Sequence, residues 1–240
     1  MPPWLVQLVN GASEIPVDYR RRLPADVVAT VTPANSASGS GRTAAVLVLF
    51  SGPWQQSDPV SLDADLLLTV RASTLRNHGG QAAFPGGVAD PGDTGPVQTA
   101  LREAQEETGV DPSRLYPLLT LEPIFIPPSG FHVVPVVAYS PDPGPVTVVD
   151  ERETALVTRV PLRAFVNPEN RLMVGRSAGE LRFASPAFRL NEMLVWGFTG
   201  HVISAMLDVA GWSQPWNAED VYELDEAMDI VAGKDSEEPL

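Results

Sequence analysis

The chain has 240 residues, 44% of them hydrophobic, which is enough to bury a full core in one domain with terminal additions. Sixteen Lys and Arg stand against 30 Asp and Glu, a net charge of −14, and this argues against broad nucleic-acid binding, whose affinity comes from cationic neutralisation of phosphates. No cysteine is present, so disulfides, thiolate zinc sites and cysteine nucleophiles are excluded.

Residues 1–32 are proline-rich and mixed, and are expected to be solvated, with Tyr19-Arg20-Arg21-Arg22 as a small basic cluster. Met1-Pro2-Pro3-Trp4 lacks the basic-then-apolar order of a secretory signal, and no apolar run is long enough to span a bilayer, so a cytoplasmic location is expected, without a membrane partner. Residues 33–41, rich in Ser, Gly and Ala, read as a flexible loop. The continuous apolar run at 44–50 then reads as a buried central strand, and 65–71 as the next. Arg71, Arg76 and His78 form a cationic patch in a chain poor in positive charge, leading into glycines that let backbone approach a ligand. That patch suits phosphate or pyrophosphate; equally, the arginines can pair with acids and His78 can bond within a turn.

Past Phe84-Pro85-Gly86-Gly87, the spacing predicts a short helix that opens at Pro96, where a missing N–H costs nothing, and stops at Gly109. Val97, Ala100, Leu101, Ala104 and Thr108 give it one apolar stripe. Glu103, Glu106 and Glu107 project together from a neighbouring stripe, where they repel unless a hard cation such as Mg²⁺ sits among them. The plainer alternative is a solvated acidic face. Residues 121–139 read as two strands around a Pro-Pro-Ser-Gly turn and 141–145 as a loop, and Glu151 and Glu153 suit exposed helix-capping charge. Short strands are expected at 171–173 and 181–183, a second amphipathic helix at 191–209, an acidic stretch from Asp208 onward, and a frayed tail from Gly233 to Glu238. Alternating strands and helices make this an α/β protein with a mixed sheet between helices. Its parts are an N-terminal segment (1–43), a central domain (44–210) and an acidic tail (211–240).

The segment Arg102-Glu103-Ala104-Gln105-Glu106-Glu107-Thr108-Gly109-Val110, following the Gly86-Gly87 pair, resembles the Nudix box of the Nudix hydrolases. The usual box has a glutamate eight residues before the arginine; that position is Thr94 here, the loop is one residue longer, and Asp93 beside it is the candidate replacement. The run from Leu66 to Gly87, with its Leu-Arg-x-His-x-Gly core and Phe-Pro-Gly-Gly end, is similar to the signature of the coenzyme A pyrophosphatase branch. The resemblance implies the Nudix α/β/α sandwich and Mg²⁺- or Mn²⁺-dependent hydrolysis of a small nucleotide substrate. For coenzyme A or its acyl derivatives the products are 3′,5′-ADP and 4′-phosphopantetheine. It assigns Glu103, Glu106 and Glu107 to metal, Arg102 to an anchoring ion pair, and the general base to Glu106 or Glu153. Arg71, Arg76, His78, Phe84, Gly86 and Gly87 fall to substrate. Leu156 stands where the family commonly has a second acid. Another nucleotide substrate (NADH, a nucleoside diphosphate sugar or a nucleoside triphosphate), a binding module without catalysis, and a homodimer stay open.

Overall fold

The apolar run at 44–50 lies inside β1 (Arg42–Ser51), and everything that positions the site is arranged along this strand. The computed structural model describes residues 1–21, 42–55, 64–72, 80–126, 129–178 and 181–233. On one side β1 runs parallel to β7 (Phe131–Ser140) along its whole length, Arg42 opposite Phe131 and Ser51 opposite Ser140. Its other side is shared. β2 (Asp65–Arg71) pairs only with its last residues, Phe50 with Leu66 and Ser51 with Asp65. β4 (Gly86–Val88) pairs antiparallel with its first part, from Ala44 opposite Val88 to Val46 opposite Gly86. Between these two, the Leu47 N–H donates to the Pro85 carbonyl at 2.8 Å, so the glycine pair enters the sheet itself.

The remaining strands of this mixed sheet are β3 (Ala82–Ala83) on β2, β5 (Tyr116–Thr120) and β6 (Ile124–Ile126) on β7, and β8 (Thr154–Pro161) on β2. Side chains alternate between its faces. Ala45, Leu47 and Leu49, with Val134, Val136 and Ala138, face the helix α3 (Pro96–Thr108). Ala100 and Ala104 are fully buried on the helix side, and their small size lets α3 lie close to the sheet. Val48 and Phe50, with Val137 and Tyr139, face the opposite way and pack with Val202, Ile203 and Met206 of α5 (Gly197–Val209). Helix, mixed sheet and helix make the expected α/β/α sandwich, and no helix of the described residues is long and apolar enough to cross a membrane.

Four expectations are corrected. The N-terminal segment is not solvated through residue 21: α1 (Val6–Asn10) and α2 (Glu14–Arg21) lie against α5. Trp4, Leu8, Ile15 and Tyr19 are buried, and the Tyr19 ring meets Phe198 at 5.9 Å and His201 at 5.1 Å. Trp4 contacts the rings of Phe50, Tyr139 and Trp212 at 6.0–6.2 Å. The charged Arg20 and Arg21 stay exposed at the C-terminal end of α2, where cations are favoured.

The helix expected over 191–209 begins only at Gly197. Asn191 takes φ +50° and, with Glu192, forms the tight turn between β10 (Leu181–Leu190) and β11 (Met193–Val195), so that Leu190 pairs with Met193. Asparagine tolerates that left-handed conformation and so favours the hairpin. The short strands expected at 171–173 and 181–183 belong to β9 (Arg171–Ala178) and to β10, eight and ten residues long and paired antiparallel. Finally, the acidic stretch past 210 contains β12 (Val221–Glu223), parallel to β9, and α6 (Leu224–Val231), whose Ala227 and Val231 are buried against Val174. Arg171 ties this end to α5, donating to Ser204 Oγ at 2.9 Å and lying 4.5 Å over the Trp216 ring.

Trp4→Ala is expected to lower unfolding stability by about 3–5 kcal/mol, the usual cost of emptying a buried aromatic site. Urea denaturation of the full chain checks this, and a loss below about 1 kcal/mol would mean that the first turn does not hold the core.

Candidate active site

The loop from Val88 to Gly95 leads into α3, and its backbone is fixed before the helix starts. The Thr94 N–H and hydroxyl both donate to Gln98 Oε1, at 2.7 and 2.8 Å, one helical turn ahead. At the other end Gly109 takes φ +67° and its N–H donates to the Gln105 carbonyl at 2.9 Å, a left-handed stop that glycine adopts without penalty.

Asp93 is the acid that reaches Arg102. Arg102 Nε donates to Asp93 Oδ1 at 3.2 Å and Nη2 to Oδ2 at 3.0 Å, the forked geometry that suits guanidinium to carboxylate. Thr99 Oγ1 and the Asp90 N–H also donate to Asp93 Oδ2, both at 2.9 Å, and the side chain of Asp93 is only 4% exposed. The Arg102 hydrogen bond is the largest reason why the Asp93 carboxyl is held well below the usual range, at about 2. Arg102 Nη2 also donates to the Val88 carbonyl at 3.1 Å, so one guanidinium closes the loop onto the helix. Nothing in the sequence marks that carbonyl or the Gln98 contact.

The same guanidinium touches two of the three glutamates, through Glu103 Oε1 at 3.0 Å and Glu106 Oε2 at 2.9 Å. Glu106 is 58% exposed and follows the arginine by four residues, the weaker order for a helical ion pair, so this contact contributes at most about 0.5 kcal/mol and is easily exchanged. Glu103 is more enclosed. Its carboxylate lies against Gly87 so closely that a Cβ there would fall 2.5 Å from it. Gly86 is wedged as tightly against β1, where a Cβ would lie 2.4 Å from the Ala45 carbonyl oxygen. Burial raises the Glu103 carboxyl above its ordinary value, opposed by Arg102. Glu107 accepts the Gly86 N–H at 3.1 Å. Burial pushes its pKa up to about 7, against the Gly86 bond and the charge of Arg71, with Glu103 and Glu153 adding to the rise.

Those influences show which expected residues are neighbours. Arg71 ends β2, and across a bulge the Ala72 N–H donates to the Glu153 carbonyl at 2.9 Å, which holds Glu153 at the same end of the sheet. Glu153 lies in the turn before β8 and caps no helix. Arg71, Gly86, Gly87, Glu103, Glu106, Glu107 and Glu153 therefore gather around the N-terminal part of β4 and the last turns of α3. Phe84 does not: it is 3% exposed and packed in the core on the α5 side, a packing residue and no substrate contact. Arg76 and His78 lie outside the described residues.

Hard carboxylate oxygens, two of them desolvated and close together, form a donor set that fits Mg²⁺ or Mn²⁺. Among the described residues no three acids already converge on one point, because Glu103 and Glu106 turn to Arg102. An ion held by all three glutamates would need Glu103 and Glu106 to leave Arg102.

Carboxylates that hold a hard cation beside exposed backbone suit the polarisation of a phosphoryl oxygen and the activation of water. The NUDIX domain family matches residues 42–176, and the chain belongs to that family: it is a Nudix hydrolase, acting on diphosphate bonds. Hydrolases of this family generally use divalent metal ions and act on small nucleotide substrates. The chain is 36% identical over 138 residues to the uncharacterized Nudix hydrolase NudL of Photorhabdus laumondii, covering 58% of this chain and 73% of that one. It is 42% identical over 126 residues to NudL of Yersinia pestis, covering 52% and 58%. Among solved structures, a Nudix hydrolase from M. smegmatis, RenU, is 28% identical over 50% of this chain and 70% of that one, with a TM-score of 0.39.

Because the Asp93 carboxyl sits near 2 when folded and near 4 in an unfolded chain, the stability it contributes is present above about pH 4 and is lost as pH falls toward 2. Asp93→Asn is expected to flatten the fall of the urea midpoint across that window and to lower the midpoint at pH 7. An unchanged acid profile would show that the pair does not form.

Proposed function

We propose that this hydrolase cleaves the diphosphate of coenzyme A or its acyl derivatives, releasing 3′,5′-ADP and 4′-phosphopantetheine. The observation that carries the reading is the meeting, at one end of the sheet, of three glutamates from α3 with the Gly86–Gly87 backbone, Arg71 and Glu153. The choice of substrate is supported by the run from Leu66 to Gly87, whose first and last parts, Arg71 and the glycine pair, border that meeting point.

Glu103, Glu106 and Glu107 hold the cation, Mg²⁺ or Mn²⁺. When bound, such an ion neutralises the phosphate oxygens and lowers the pKa of a coordinated water. Burial pushes the Glu107 carboxyl up to about 7, the Gly86 N–H and the charge of Arg71 oppose that rise, and a bound cation would favour the ionised form further. Arg71 faces the diphosphate oxygens and compensates their charge, while the glycine backbone leaves room for the substrate to lie against the sheet. Glu106 or Glu153, both exposed, accepts the proton of the attacking water. Water attacks phosphorus, the bridging P–O bond breaks, and the leaving phosphate carries the electron pair. Arg102 stays bonded to Asp93 and anchors the helix without touching the water.

Glu107→Gln keeps an acceptor for the Gly86 N–H but removes the charge. It is expected to cut metal-dependent turnover by roughly 100-fold or more while leaving the melting temperature unchanged or higher, since a neutral amide is cheaper to bury. Parental turnover in that variant would remove Glu107 from the site. Chromatography of products from coenzyme A, NADH, a nucleoside diphosphate sugar and a nucleoside triphosphate, with Mg²⁺ or Mn²⁺, tests the substrate. Cleavage restricted to one of the other three overturns the coenzyme A reading. Arg71→Ala is expected to raise KM for coenzyme A more than it lowers kcat, and unchanged kinetics would make Arg71 a structural residue.

A further inference from the structure

The edge strand β8 offers a second surface at the same end of the sheet. Its register sets Leu156 opposite Val70, Thr158 opposite Leu68 and Val160 opposite Leu66, so these side chains share the face turned away from α3. A cavity of about 580 Å³ opens over that face and is bounded on its far side by the β10–β11 turn, a size in the range of small-molecule pockets. Val70, Leu156, Val160, Leu190 and Met193 give it an apolar surface about as extensive as its polar one, to which Thr158, Asn170, Asn191 and Glu192 belong. It reaches Gly80, whose N–H donates to the Arg71 carbonyl at 2.9 Å. Among the described residues its lining therefore extends to the strand end where Arg71 and Glu153 lie.

The lining selects among the parts of a nucleotide conjugate. Among the described residues it contains no aromatic ring on which a base could stack. Among the described residues its one arginine, Arg159, donates to Asp65 Oδ1 at 3.0 Å and is already matched by that carboxylate, so it offers no surplus charge to a phosphate. What remains suits methylenes interrupted by amides. Leu156, 47% exposed, is an apolar surface that such a chain would cover.

Resting on the coenzyme A reading, we propose that this cavity holds the non-nucleotide arm of the substrate, with its acyl extension, while the diphosphate lies at the glutamates across the same strand end. Methylenes pack on Val70, Leu156 and Met193, and the amides meet Thr158 and Asn170. Leu156, in the place of an acid, is then a specificity-determining residue.

The test compares kcat/KM for coenzyme A and for acyl derivatives of two to ten carbons in the parental enzyme, Leu156→Asp and Leu156→Trp. The parental enzyme is expected to prefer a medium-chain derivative over coenzyme A by roughly tenfold or more, the discrimination that a few buried methylenes provide. Leu156→Asp should erase that preference and Leu156→Trp should move it to shorter chains. Because Leu156 is half exposed, neither change disturbs the core. Turnover of coenzyme A with the same chain-length profile in all three enzymes overturns this inference alone. Absence of turnover on every coenzyme A derivative overturns the coenzyme A reading and the inference with it.

Discussion

The site depends on a single guanidinium. Arg102 binds Asp93 through a fork, the Val88 carbonyl through one further N–H, and the carboxylates of Glu103 and Glu106. Arginine never gives up its proton at ordinary pH, so this hub is permanent, whereas a lysine would offer neither the fork nor the simultaneous reach. Its two duties differ in strength. The Asp93 pair is enclosed and reinforced by Thr99 and the Asp90 N–H, while the Glu106 contact lies in water. The arginine therefore keeps hold of the loop and can release a glutamate, the order that a cation-binding site on this helix requires.

The three glutamates occupy graded surroundings although they sit within two turns of one helix. Glu106 is mostly exposed, Glu103 is pressed against Gly87, and Glu107 is buried under a backbone N–H. Equal side chains thus meet unequal surroundings, and burial raises the carboxyls of Glu103 and Glu107 where they press against the glycine backbone of β4. The missing Cβ atoms at Gly86 and Gly87 set how near the helix and the sheet can come, and so how far Glu103 and Glu107 are desolvated.

Much of this was legible because it is periodic or punctuated. The apolar run at 44–50, the 3.6-residue stripe of α3, and its Pro96 and Gly109 ends each have a local physical cause. Asp93 could be named as a candidate but not assigned, since only the fold of the lengthened loop decides which acid meets the arginine. What was missed is non-local. Trp4 and Tyr19 look like scattered apolar residues among prolines and charges, and their partners Trp212 and Phe198 lie far along the chain. The run Met193-Leu194-Val195-Trp196 fits a strand or a helix equally well, and the turn at Asn191 decides it. Phe84 adjoins the glycine pair in sequence yet turns into the core.

The ring cluster that joins Trp4 to Phe50, Tyr139 and Trp212 carries a practical lesson for anyone shortening this protein. A recombinant fragment trimmed to the family match, 42–176, ends inside β9 and discards both β10 and α5. The sheet would keep every glutamate of the site, but its opposite face would stand bare in solvent. Such a piece is a recipe for precipitation, and the smallest workable unit includes both flanks.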